Sequence, residues 1–190
     1  MVKGSKIQVL GIIGSPRLGG NTEILINEIL SGAECAGALI EKIILSKLNI
    51  NPCQACNNCE RTGQCIYNDD MNEILEKMIN SDLWVLGTPI YWWGPTAQFK
   101  AFLDRWYCPQ HQNFKGKHVI LAIPFGGGHN KYARHTVGLL TDVIEYLSMK
   151  LFEIILAPGM DSRGAVSENK DILQKAFKAG QEAVEMINNS

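Results

Sequence analysis

Five stretches of the chain are apolar with little polar alternation: Ile7–Ile13, Leu39–Leu45, Leu83–Gly87, His118–Pro124 and Leu151–Ala157. A strand with one wet face alternates apolar and polar residues. Runs such as these predict strands buried on both faces, as in a parallel sheet covered by helices. Between them the period lengthens. Met71, Ile74, Leu75, Met78 and Ile79 fall at i, i+3, i+4, i+7 and i+8, one face of a helix, and Asp70 with Glu73 predicts a capping box at its start. Thr22–Gly37, Thr96–Tyr107, Lys131–Met149 and Ser167–Ile187 give four more helices. Strand and helix alternate five times, which predicts a doubly wound α/β sheet of five parallel strands with helices on both faces. With no repeat, low-complexity tract or linker, residues 1–190 read as one domain. The exception to economy is the cysteine-rich link at 46–69. A compact domain rarely spends that much chain on a loop without a reason.

Composition narrows the function. The net charge is −1 with no block of like charges, which argues against nucleic acid or an anionic membrane as the main partner. Met1–Lys6 is polar, and no stretch approaches the roughly 20 apolar residues of a membrane span. The expectation is a cytoplasmic protein, where thiols stay reduced. There the spacing C-x2-C-x2-C-x5-C formed by Cys53, Cys56, Cys59 and Cys65 points to metal binding or redox chemistry rather than to a disulfide framework. Cys35 reads as a small packed hydrophobe and Cys108 as a helix-end residue rather than a fifth ligand. His111, His118, His129 and His135 show no metal spacing, and Asp104-Arg105 reads as an ion pair or helix-end feature. No Ser-His-Asp grouping or paired carboxylates call for hydrolytic chemistry.

In folds of this class ligands sit beyond the carboxyl ends of the strands, so the loops after strands one, three and four matter most. The first, Gly14-Ser-Pro-Arg-Leu-Gly-Gly-Asn-Thr22, opens a helix and suits an anion held by helix-terminal N–H groups. It has neither the G-x-G-x-x-G of a dinucleotide fold nor the Gly-Lys-Ser/Thr of a triphosphate loop. It offers Ser15, Asn21 and Thr22 as hydrogen-bonding side chains and Arg17 as counter-charge, an inventory for a terminal monophosphate. The competing reading is a polar turn with a helix cap. The second loop, Gly87-Thr-Pro-Ile-Tyr-Trp-Trp-Gly-Pro-Thr96, sets three aromatics in a row where Pro89, Gly94 and Pro95 forbid a regular helix or central strand. At least one ring is expected against a flat apolar ligand or a partner subunit.

GSPRLGGNT after strand one and GTPIYWWGPTAQFKAFLDRWY after strand three resemble the flavodoxin-like NAD(P)H-dependent FMN reductase family, with the likeness running from Ile7 to about Ile155. The resemblance implies that Ser15, Arg17, Asn21 and Thr22 wrap the FMN phosphate. It also implies that Pro89, Ile90, Tyr91, Trp92, Trp93 and Gly94 cradle the isoalloxazine and ribityl chain. The turn at Phe125, Gly126 and Gly127 corresponds to a weaker, variable flavin contact that plain turn chemistry also explains. Within the family, the iron-sulfur flavoproteins carry three cysteines at x2 spacing and a fourth several residues on. By that resemblance Cys53, Cys56, Cys59 and Cys65 bind a 4Fe-4S cluster beside FMN. Zinc and ordinary unbound or disulfide-forming thiols compete for the same residues, although four-cysteine zinc sites usually arrive as two separated C-x2-C pairs. The function implied is electron transfer in which flavin takes electron pairs and the cluster handles single electrons. The donor and acceptor would be a redox protein or small molecules, with NAD(P)H as a transient donor. Such proteins form homodimers or homotetramers in which one subunit's cluster lies near another's flavin. The alternatives are an FMN-only reductase of quinones, nitro compounds or flavins, and a thiol-based redox or metal sensor.

Overall fold

The computed structural model describes residues 6–190, so the opening Met1–Ser5 lies outside the described residues. The strands are β1 (Gln8–Ile13), β2 (Leu39–Ile44), β3 (Leu83–Gly87), β4 (His118–Pro124) and β5 (Lys150–Ala157). The helices are α1 (Asn21–Cys35), α2 (Asn58–Thr62), α3 (Met71–Asn80), α4 (Ala97–Asp104), α5 (Arg134–Tyr146) and α6 (Lys170–Asn188). All strand pairs are parallel in the order β2-β1-β3-β4-β5, so the chain reverses direction across the sheet between β1 and β3. The doubly wound fold expected from the sequence is present.

Both faces of the central strands are buried, which is why they carry no polar alternation. Leu10, Ile12, Trp84, Leu86 and Leu121 point into one layer with residues of α3, α4 and α5. Val9, Ile13, Val85, Ile120 and Ala122 point into the other with α1 and α6. In the first layer Trp84, Phe102, Trp106 and Phe114 meet edge to face at centroid separations of 4.8 to 5.7 Å. That geometry sets the positive edge of one ring on the negative face of another.

Several boundaries differ from the sequence reading. The helix expected over Thr96–Tyr107 begins after Thr96, which caps it by accepting from Phe99 N at 3.2 Å, and stops at Asp104. Short 3-10 turns precede α5 and α6, where helix was expected from Lys131 and Ser167. The capping box at Asp70 does not form. Asp70 is in helical backbone conformation and its carboxylate accepts from Asn49 N instead, at 2.7 Å. Cys35, expected to be packed, is exposed at the end of α1.

The second layer depends on a close helix crossing. A Cβ on Gly32 would lie 1.9 Å from Phe177 O, and one on Gly180 would lie 1.9 Å from Ile29 O. Helix α6 presents Ala176, Ala179, Gly180 and Ala183 to this contact, so the two backbones approach with nothing between them. Gly to Ala in a helix ordinarily stabilises by about 1 kcal/mol. Here Gly180→Ala is expected to destabilise instead, by about 1–3 kcal/mol, because the added methyl must push the helices apart. A lower denaturant midpoint checks this; a raised one would show that the crossing has slack.

Candidate functional site

Two cavities lie at the two ends of α4. The first collects the loops that follow β1, β3, β4 and β5. Its volume is about 130 Å³, and Ser15, Arg17, Asn21, Thr22, Pro89, Ile90, Tyr91, Phe125 and Gly126 line it together with Met160, Asp161 and Arg163. Helix α1 starts at its floor from Gly20, which makes no side-chain cap, so the first-turn N–H groups are left for a ligand. Ser15 and Thr22 are 4% and 1% exposed, which places two hydroxyls where water has little access. Ser15 Oγ accepts from Arg17 N at 3.2 Å and holds the turn. Buried hydroxyls, uncapped helix N–H groups and two arginines at the wall are a donor set that fits a phosphate.

The loops are braced against each other. Gly14 N donates to Gly87 O at 2.7 Å, joining the ends of β1 and β3. Thr96 Oγ1 donates to Gly14 O at 2.5 Å, and Thr88 Oγ1 accepts from Thr96 N at 3.1 Å. Asn21 takes a role that the sequence did not signal. Its amide donates to Met160 O and Ser162 O at 3.1 and 2.8 Å, and its Oδ1 accepts from Val166 N at 3.0 Å. The side chain therefore ties the loop after β5 to the cavity. Arg163 reaches from that loop to donate to Leu18 O. Met160, Asp161 and Arg163 sit in a segment whose sequence has no motif, so only the fold could locate them.

The aromatic loop divides. Pro89, Ile90 and Tyr91 line the cavity, whereas Trp92, Trp93 and Gly94 do not. Tyr91 and Gly94 exchange backbone hydrogen bonds of 2.9 and 3.1 Å around Trp92 and Trp93, whose φ angles are 49° and 62°. Two left-handed residues at the centre of so tight a turn are usually Asn or Gly, since a bulky side chain there is strained. The rings are 91% and 45% exposed, and Trp93 O is pinned by the Thr136 hydroxyl at 2.9 Å. Gly127 lies outside the cavity too. A Cβ there would stand 2.5 Å from the Tyr132 ring, so its smallness serves packing.

The second cavity, about 500 Å³, is lined by Cys53, Cys56, Cys59 and Cys65, and by Cys108 as well. Its loop is closed at the neck. Asp70 N donates to Asn49 O at 3.2 Å, and Asp69 Oδ2 accepts from Asn51 N and Nδ2 at 2.9 and 3.1 Å. Arg105 locks this neck. Its Nη1 donates to Asp69 Oδ2 at 2.7 Å and Asn51 O at 2.9 Å, with side chains only 4% and 1% exposed. Of the two readings of Asp104-Arg105, the helix-end one holds, since α4 ends at Asp104 with Arg105 as its C-cap; the two do not pair with each other, and Asp104 bonds Lys100 on the turn before it. Burial alone would raise the Asp69 carboxyl, but hydrogen bonds from Arg105 and Asn51 outweigh it and the net shift is downward. Inside the neck, left-handed Ala55 and Asn57 reverse the chain on either side of Cys56. Helix α2 then carries Cys59, whose thiol lies 3.8 Å from Tyr107 O. Cys108 follows directly, and burial pushes its thiol up from the ordinary range.

Among the described residues, no three His, Cys, Asp or Glu side chains converge on a single-ion site. Four thiols spread around one cavity fit a guest that takes one thiolate on each of several irons.

The fold and its anion-adapted β1 loop define a flavodoxin-like α/β protein. The family model for NADPH-dependent FMN reductase matches residues 7–155, and the chain belongs to that family. An iron-sulfur flavoprotein of Methanocaldococcus jannaschii is 43% identical over 99 residues, 52% of this chain and 51% of that protein. One from Methanosarcina thermophila is 34% identical over 137 residues, 72% of each chain. The match spans only about half the length of the first of these relatives. The NAD(P)H:quinone oxidoreductase of Methanothermobacter marburgensis superposes with a TM-score of 0.76 at 18% identity, covering 94% of this chain and 96% of that one, which shows the shared fold.

Asp69→Asn leaves the buried Arg105 charge without its counter-ion and is expected to cost about 3–5 kcal/mol at neutral pH. A carboxylate with a lowered folded pKa contributes stability above its unfolded value of about 3.8 and loses it as pH falls through the folded one. The gap between wild type and variant should therefore close in acid. Denaturant midpoints of both proteins across the acid range check it; a gap constant with pH would rule out the pair as its source.

Proposed function

We propose that this protein is an FMN-dependent electron-transfer oxidoreductase that binds FMN in the first cavity and a 4Fe-4S cluster in the second. One observation carries the reading: an anion-adapted cavity and a thiol-lined cavity stand at opposite ends of the same eight-residue helix. When bound, FMN supplies two-electron redox chemistry and a cluster supplies one-electron chemistry.

The chain's own residues do the positioning. Ser15 and Thr22 hydroxyls, the N–H groups opening α1 and the Arg17 guanidinium hold the phosphate. Asn21 contributes through its backbone while its side chain fixes the neighbouring loop. Pro89, Ile90, Tyr91, Phe125 and Gly126 wall the ribityl chain and one edge of the ring system. Trp92, Trp93, Gly94 and Gly127 border that edge, where the exposed rings meet the flavin, an NAD(P)H donor or a second subunit of a homodimer or homotetramer. Cys53, Cys56, Cys59 and Cys65 ligate the cluster. The similarity to iron-sulfur flavoproteins of Methanocaldococcus jannaschii and Methanosarcina thermophila supports this assignment. Among the described residues no helix is long and apolar enough to cross a membrane.

Two measurements test the two halves. Thr22→Val and Ser15→Ala each remove a hydrogen bond to a charged group, worth about 1.5–3 kcal/mol. Each is expected to raise the FMN dissociation constant about tenfold or more. Unchanged constants would place the phosphate elsewhere. For the cluster, wild type and Cys59→Ala are reconstituted without oxygen using ferrous iron and sulfide, then assayed for both elements and for FMN. Wild type is expected to take up iron and sulfide in equal amounts, while the variant loses them and keeps FMN. Equal iron in the two proteins would leave an FMN-only reductase, since nothing in the flavin cavity is built from these thiols.

A further inference from the structure

We propose that Arg105 faces the cysteine cavity as a fixed positive charge that raises the reduction potential of the group held there, in addition to closing the neck of the loop. The inference rests on the reading of that cavity as a cluster site.

The guanidinium is 5% exposed as a residue, and yet it lines the cavity. Nη1 is committed to Asp69 and Asn51. Nε and Nη2 take no acceptor among the described residues. They are also not among the fully enclosed polar atoms without a partner, a group that contains only Trp106 Nε1. Those two nitrogens therefore meet open space, and the open space Arg105 borders is the cavity. Its carboxylate partner does not line the cavity. The ion pair thus presents its cationic end to the thiols and keeps its anionic end behind. Arg105 is the one cation among the lining residues, against Glu76 as the one carboxylate. The charge is also held still. Asp69 and Asn51 fix one edge of the fork, and the Tyr67 ring lies 5.4 Å from its carbon.

Four thiolates around an iron-sulfur core leave the assembly anionic, and each added electron makes it more so. A cation in a poorly solvated wall favours the more negative, reduced state. Hydrogen bonds donated to the sulfurs act in the same direction. A guanidinium that only anchored the neck would need the Asp69 and Asn51 bonds and would gain nothing from turning its other nitrogens to the cavity.

The test separates anchoring from tuning. Arg105→Met alone would strand Asp69, so the charge-neutral double variant Arg105→Met/Asp69→Asn is used, with Arg105→Lys as the conservative partner. Each is reconstituted without oxygen, assayed for iron, sulfide and FMN, and titrated potentiometrically with the cluster and flavin followed separately. The double variant is expected to titrate its cluster at a more negative potential than wild type. The lysine variant is expected to fall between them, and the flavin potential should stay fixed because α4 separates the two cavities. A cluster potential that matches wild type at full iron and sulfide content overturns the inference and reduces Arg105 to an anchor. A shift of equal size at the flavin overturns it too, by pointing to a global change. Wild type that takes up no iron fails earlier, at the cluster reading itself, and this inference falls with it. If the double variant does not load, the neutral pair Arg105→Gln/Asp69→Asn decides by the same criterion.

Discussion

The buried bond between Arg105 and Asp69 is the interaction on which the arrangement of the two cavities depends. Asn49 and Asp70 close the base of the cysteine loop, but exposed backbone bonds of that kind exchange readily with water. Arg105 reaches across from the C-cap of α4 and binds both sides of the neck, Asn51 O and Asp69, out of contact with solvent. The pair is not needed for net stability in itself. The desolvation of two charges consumes most of their attraction, and an apolar substitute of the same shape would often serve as well. What it supplies is position, because a buried charge tolerates only the geometry that satisfies it.

That position carries through α4 to the other cavity. Eight residues at 1.5 Å each make a rod of about 12 Å. Phe99, Phe102 and Leu103 bury one face of it in the aromatic layer, so it has little freedom to tilt. At its far end Thr96 caps the helix and bonds Gly14 O, which fixes the loop after β1. The loop after β1 and the loop that carries the thiols are thus attached to the two ends of a single packed element. Backbone strain is distributed in the same way. Of the five non-glycine residues with positive φ among the described residues, Ala55 and Asn57 lie in the thiol loop and Trp92 and Trp93 in the aromatic loop. Strain of about 1–3 kcal/mol per residue persists where the surroundings impose it, and such places concentrate at functional sites.

Burial on two faces made the strands legible from sequence, since Leu83–Gly87 and His118–Pro124 could be nothing else. The anion loop was legible because its glycines and hydroxyls stand next to each other in the chain. Asp69 and Arg105 were not, since 36 positions separate them and neither has a motif. Asp70 looked like a helix cap because Asp so often is one, and tertiary demand at Asn49 won instead. The role of Asn21 was hidden for the same reason: its partners lie about 140 positions away. Local spacing reports what neighbours do together, while the loop after β5 enters the site only because the sheet places β5 beside β4.

Cys108 shows where the two kinds of information meet. Read along the chain it is expected at the end of the helix over Thr96–Tyr107; that helix stops at Asp104, and Cys108 instead leads into the short 3-10 helix at Pro109–Phe114. Read in space it is a fifth thiol in a cavity already lined by four, held there because α4 ends at Asp104 and the chain turns back at Pro109. Its burial disfavours the thiolate. Metal ligation requires the thiolate. The cavity thus joins two kinds of thiol that sequence spacing kept apart: four on a loop held at the neck by Arg105 and Asp69, and one on a wall where burial works against the thiolate form.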